Sequence, residues 1–201
     1  MSEWWTYRLS DFLMFLPSTY WRLVERYNGE VWPAHLLALA AGLSALWLAR
    51  AGGAGAGRVL AVLLAAAWLW VGWAFHWQRY ASINWAAQYF AVAFAVQAAL
   101  LLGLTSWRSD AYASTRGALK GPGWLLAGAG VLLYPLAGLL AGRPWTQAEV
   151  FGIAPEPTAL TTLGLLLVGG YAASPARRRW LAVIPVLSLL VGAATLWSMS
   201  E

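Results

Sequence analysis

Six times along this chain an apolar stretch approaches the length a helix needs to cross a bilayer, about 20 residues, and that repetition limits every other reading. The stretches cover 31–49, 59–76, 85–104, 124–141, 157–173 and 180–197. Together they use most of the 201 residues and leave no room for a separate soluble domain. The fifth is the weakest, because its uninterrupted apolar run is short; it fits by thinning the bilayer locally or by borrowing residues from 150–153. Composition agrees: only 10% of the chain is charged, against about 25% in soluble domains. The 15 Trp and 8 Tyr suit bilayer interfaces, where these residues concentrate. The expected fold is an all-α membrane protein, with six transmembrane helices over 31–201 and an N-terminal amphipathic interfacial segment over 1–30.

That first segment is neither a signal peptide nor a span. Glu3 stands where a basic region belongs, and FLMFLP is too short to cross. After Pro17, Tyr20, Leu23, Val24 and Tyr27 recur at spacings of three and four, while Arg22, Glu25 and Arg26 fall largely on another side. The spacing predicts a short helix over 18–27 lying in the interface. Between spans one and two, AGGAGAG reads as a flexible connector without nucleotide-binding spacing. SWRSDAYASTRGALKGPG reads as a polar loop, and SPARRR as a tight basic turn.

Lys and Arg counted by side set the orientation. Loops after spans one, three and five carry eight basic residues, Arg50, Arg58, Arg108, Arg116, Lys120 and Arg177 to Arg179, against the single acid Asp110. The opposite side has five basic residues and seven acids. The eight-basic side is therefore expected in the cytoplasm, with both termini outside a bacterial inner membrane. The formal charge of +5 then reports topology, and no nucleic-acid signature accompanies it. The chain has no Cys, which removes disulfides, thiolate metal sites and Cys nucleophiles.

The same assignment gathers the unusual residues on the outer side. His35 and His76, the only histidines, fall at similar depth on spans one and two. They are candidate ligands for haem iron or a divalent metal, or a pH-sensitive pair; the plainer reading is two separately hydrogen-bonded interfacial side chains. In FHWQRYASINWAAQYF, Arg79, Asn84 and Gln88 are further candidates, with Asn84 equally placed as a helix N-cap. Gln88 and the deeper Gln97 lie on roughly opposite faces of span three, so at least one serves packing. Arg143, Trp145 and Glu149 stand at an expected pocket mouth, though Thr146 to Glu149 also fits a capping box. Glu156 beside Pro157 reads as an acid at a helix N-terminus. Trp70, Trp73 and Trp77 form a stripe better suited to packing or interface anchoring than to a ligand cage. Pro135 and Pro185 are expected to kink their spans, and Gly138 with Gly142 forms a G-x-x-x-G. No nucleophile–base–acid set is recognisable, so enzyme activity has no support.

Taken together, EWWTYRLSDFLMF, FHWQRYASINWAAQYF and GRPWTQAEVFGIAPEPTA resemble an uncharacterised bacterial family of small polytopic membrane proteins, a domain of unknown function, over nearly the whole chain. The resemblance implies the fold and no activity. In size, span count and outward termini the chain is also similar to the small urea and amide channels, by architecture and without matching motifs. The expected function is an outward-facing cavity that binds or passes a small solute or ion, as a transporter or channel, in a homo-oligomer or beside a membrane partner protein. Its expected contacts are His35, His76, Arg79, Asn84, Gln88, Arg143, Trp145 and Glu149. The alternatives are a haem- or metal-binding redox protein using His35 and His76, and a non-catalytic subunit or assembly factor of a membrane complex.

Overall fold

The computed structural model describes residues 14–104, 120–169 and 175–200. All the regular structure among them is helical: α1 (Pro17–Val31), α2 (Ala34–Ala51), α3 (Gly53–Trp70), α4 (Ala87–Leu104), α5 (Lys120–Gly128), α6 (Tyr134–Leu140), α7 (Pro155–Val168) and α8 (Pro175–Ser198). A π-helical turn, Val71–Trp77, continues α3, and a second, Ala129–Leu133, joins α5 to α6. Short 3-10 turns follow at Tyr80–Ser82 and Trp145–Gln147. Among the described residues five helices are long and apolar enough to cross a membrane: Ala34–Ala51, Gly55–Ser82, Ala87–Leu104, Lys120–Leu140 and Ala176–Ser198. Their outward faces carry exposed Leu36, Leu37, Trp47, Leu125, Leu140 and Leu190, as contact with lipid requires.

The fifth expected span is different in kind. At 157–173 the sequence predicts a crossing helix; the structure has the 14-residue α7, about 21 Å at 1.5 Å per residue, ended by Gly169 at φ +82°. Such a helix cannot match about 30 Å of hydrocarbon, and it does not have to. Eleven of its 14 residues are buried, so neighbouring helices rather than lipid surround it. It runs antiparallel to α5 on a seam of small residues. A Cβ at Gly164 would lie on the backbone nitrogen of Ala127 and 2.7 Å from its Cα; one at Gly123 would lie 2.8 Å from the nitrogen of Val168. Small residues allow this approach, and dispersion between the backbones holds it.

Two of the three threonines on α7 are satisfied locally. Thr158 Oγ1 donates to the Ala154 carbonyl (2.7 Å) and accepts from Gly152 N–H (2.8 Å). Thr162 Oγ1 donates to the Thr158 carbonyl and accepts from the indole of the fully buried Trp68 (2.9 Å), tying α7 to α3. Within α4, Gln97 is buried and donates to the Leu181 carbonyl of α8 at 3.0 Å, which is the packing role expected of one glutamine on that span.

Several connectors also differ from expectation. AGGAGAG is no flexible linker: helix occupies both sides of Gly52, whose positive φ turns the chain, and the later glycines lie in α3. Arg177 to Arg179 are helical, in the first turns of α8, rather than a turn. Pro185 sits inside a continuous helix, and Pro135 follows the π turn at the start of α6. Gly138 faces the Arg143 guanidinium and Gly142 turns the chain at φ +76°, so this G-x-x-x-G is a helix end and not a helix contact. EWWTYRLSDFL and most of the 105–122 loop lie outside the described residues.

Substituting Gly164→Leu places a side chain where the Ala127 backbone stands, an overpacking cost of about 3 kcal/mol. Thermal unfolding in detergent should show a large fall in Tm for this variant. Gly128→Ala, with open space around the new methyl, should match or slightly exceed wild type; equal behaviour of the two variants would refute the α5–α7 seam.

Candidate functional site

α1 packs Tyr20, Val24 and Tyr27 inward and leaves Arg22, Glu25 and Arg26 exposed. Polar contacts lace it to the loop after α6. Asn28 Nδ2 donates to the carbonyls of Thr146 (2.8 Å) and Ala148 (2.9 Å), and Glu25 accepts from Thr146 Oγ1 (3.2 Å) and Gln147 Nε2 (3.4 Å). Thr146 and Glu149 therefore form no capping box; Thr146 is spent on Glu25 of α1 and Glu149 on Arg143. Glu30 pairs with both Arg26 and Arg79, which hold its carboxyl below the ordinary range, the hydrogen bond from Arg26 first.

Behind this layer, between α1, the end of α3, α4, α7 and α8, lies a cavity of about 360 Å³. Its walls are mostly aromatic and aliphatic, with Tyr20, Phe75, Tyr80, Phe90 and Phe94 on one side and Ile184, Leu187 and Val191 of α8 on the other. The π turn explains part of this arrangement. By widening the helix it turns Ala74, Phe75 and His76 inward together, while Trp73 and Trp77 stay outside. Trp70, Trp73 and Trp77 are all exposed, so the stripe faces away from the cavity, as packing or anchoring at the interface requires.

Besides its tyrosines, a histidine and two glutamates line the cavity. His76, 4% exposed, is ringed by Phe94 at 4.6 Å, Phe75 at 5.3 Å and Phe90 at 5.6 Å between centroids, and neither ring nitrogen has a hydrogen-bond partner among the described residues. Glu149, 4% exposed, is paired with Arg143 (3.3 Å), whose guanidinium lies 3.8 Å over the Trp21 ring. Glu156 is 9% exposed, and its Oε2 has no partner among the described residues. Gly192 makes room for it: a Cβ there would collide with Glu156 Oε1 and Cγ. A buried polar atom without a partner is costly, and Glu156 and His76 are the groups of this cavity that the described residues leave unsatisfied.

Of the residues read from sequence, the structure brings His76 and Glu149 to the cavity, with Arg143 behind Glu149. The rest lie elsewhere. His35 Nε2 donates to Asn28 Oδ1 (3.2 Å) and its ring packs on Trp32, so the two histidines have wholly different neighbours. No group of three or more His, Asp or Glu among the described residues is placed to hold a metal. Arg79 pairs with Glu30. Asn84 caps, accepting from Ala86 N–H (3.0 Å) and donating to Tyr80 Oη (3.1 Å). Gln88 is exposed, and so is Trp145, which does not line this cavity. Sequence reasoning missed Glu156, taking it as a helix-end acid alone. The available signal was its company: Thr158, Thr161 and Thr162 follow in what reads as a span, and so polar a helix belongs inside a bundle.

The chain belongs to a family of unknown function, DUF6064, whose model matches residues 17–201. No curated protein and no solved structure matches it.

Desolvation pushes the Glu149 carboxyl above its ordinary value, against the lowering by Arg143. A carboxyl raised in the folded state stabilises the fold below its unfolded pKa and loses that contribution as pH rises through the folded value. Arg143→Ala removes the opposing charge at a cost of about 3 kcal/mol, the low end for a broken buried pair, since Arg143 keeps some exposure. Its deficit in Tm should be small near pH 4 and widen toward neutrality, whereas Glu149→Gln should abolish this pH step. A deficit that does not change with pH would overturn the assignment.

Proposed function

We propose that this DUF6064 protein binds a small solute or ion in the cavity between α1, α4, α7 and α8, as the binding site of a transporter or channel. The observation that carries the reading is the conjunction, in one mostly apolar cavity, of a buried carboxyl with an open oxygen and a buried imidazole with both nitrogens open. Buried ionisable groups in membrane proteins face cavities that ions, protons or substrates use. A purely structural acid at the α7 N-terminus would need the helix end only, not a room-sized space in front of its second oxygen.

Orientation follows from charge. Arg50, Arg58, Lys120 and Arg177 to Arg179 stand at the ends of α2, α3, α5 and α8 remote from the cavity. By the excess of basic residues on cytoplasmic loops, the cavity then lies in the outer half of a bacterial inner membrane. Loss of the remote charges should not alter the site itself.

The test is a ligand screen by thermal stabilisation of purified protein, followed by flux into proteoliposomes for any hit. Ser188→Phe, which fills the cavity from α8, should abolish both the stabilisation and the flux. Arg79→Ala and Gln88→Ala, outside the cavity, should leave the affinity within about twofold. Hits that survive Ser188→Phe but are lost in Arg79→Ala or Gln88→Ala would move the site to the outer surface and refute this reading.

A further inference from the structure

The chemical class of the ligand follows from how the cavity's charges are balanced and what its walls are made of; this step rests on the cavity being a binding site. Among the described residues the charged or titratable groups around Glu156 can be named, Tyr134 of α6 among them. The loop before α7 brings Glu149, already matched by Arg143. α1 brings Tyr20, the end of α3 brings His76 and Tyr80, and α4 brings Tyr89. On the α8 side the cavity is lined by apolar residues, Ser188, Gly192 and Thr195, with no basic side chain. Glu156 thus has no cation of its own among the described residues, and its open Oε2 offers a place for one positive charge or one hydrogen-bond donor.

The walls select between kinds of cation. A hydrated metal ion needs several oxygen ligands at once, and this cavity offers two carboxyls, one of them engaged, amid aromatic rings. Rings suit the opposite kind of cation, one with diffuse charge and an apolar body, which gains from the negative faces of aromatic side chains and from burial of its hydrocarbon. Tyr20 and Tyr80, 5.8 Å apart and edge to face, line the same cavity as the carboxyl, with Phe90 and Phe94 deeper along α4. The way in has the same character. α4 and α8 are pinned together at Gln97 and Leu181, and beyond that contact the cavity fills the space between them. There its rim includes exposed Tyr89, Leu187 and Val191, residues on the lipid-facing surfaces of the two helices.

We propose that the cavity takes an organic monocation with an apolar or aromatic body, an amine or quaternary ammonium, that reaches Glu156 from the bilayer through the α4–α8 cleft. Its charge sits against Glu156 Oε2, its body lies among Tyr20, Tyr80, Phe90 and Phe94, and His76 is left to bond any polar substituent.

Benzyltrimethylammonium is the probe, since its charge is permanent, with neopentylbenzene as the neutral isostere and benzenesulfonate as the anion. Binding is measured by calorimetry on the full chain in lipid nanodiscs. The expected result is that the cation binds at least tenfold more tightly than the isostere, and that the anion does not bind. Glu156→Gln should cost the cation at least tenfold and leave the isostere unchanged, while Ser188→Phe should remove both. Should Glu156→Gln fail to fold, the comparison of cation with isostere on wild type and on Ser188→Phe decides alone. Equal binding of cation and isostere, both lost in Ser188→Phe, overturns the cation class and leaves the cavity standing as a site. Absence of binding by all three probes overturns the class proposed here, whereas the broader ligand screen then judges the cavity separately.

Discussion

The contact on which the rest of this structure depends is the seam where α5 and its π turn meet α7. Gly123, Ala127 and Gly130 face Gly164, Thr161 and Pro157 at backbone distance. In a bilayer the hydrophobic effect does little to bring helices together, because lipid is as apolar as the helix surface. Close packing between small residues supplies the attraction instead. With α7 held in the centre, Thr162 reaches Trp68 on α3, and Glu156 comes to rest against Gly192 on α8. Each of these places a polar group where lipid could not have satisfied it.

What could be read from the sequence follows from which forces are local. The lengths and positions of the spans are set by the match of apolar runs to bilayer thickness, and those of α2, α4 and α8 differ from the structure by a few residues. The inward face of α1 was legible because Tyr20, Val24 and Tyr27 stand against Arg22, Glu25 and Arg26 within a single helix. α7 was not, since burial of a short helix depends on glycines and an alanine some 35 residues earlier that look like any others in a Gly-rich chain. The histidines teach the same lesson. Depth along a span can be counted, but rotation about its axis cannot, and rotation sends His35 to Asn28 and His76 into a ring of phenylalanines.

Rotation also explains why the outer side looked like one site and is two layers. The outermost layer is a set of polar ties: Glu30 to Arg26 and Arg79, Glu25 to Thr146 and Gln147, and Asn28 to the 146 and 148 carbonyls. Exposed pairs of this kind contribute little individually, yet together they fix where α1 lies relative to the loop after α6. Beneath them the cavity is apolar and nearly dry in composition, with its few polar groups contributed singly by different elements.

The two acids of that cavity then have different tasks, and the position of α1 is what separates them. Trp21 on α1 carries the Arg143 guanidinium on its face, aimed at Glu149. Arg143 is therefore committed: its planar charge is stacked on one side and paired on the other, and Gly138 packs against it from behind. Had that arginine been free to reach deeper, both carboxyls would share its one positive charge and neither would be left without a cationic neighbour. Because the stack and the pair hold it at Glu149, the charge balance stops one residue short, and Glu156 faces the apolar space alone.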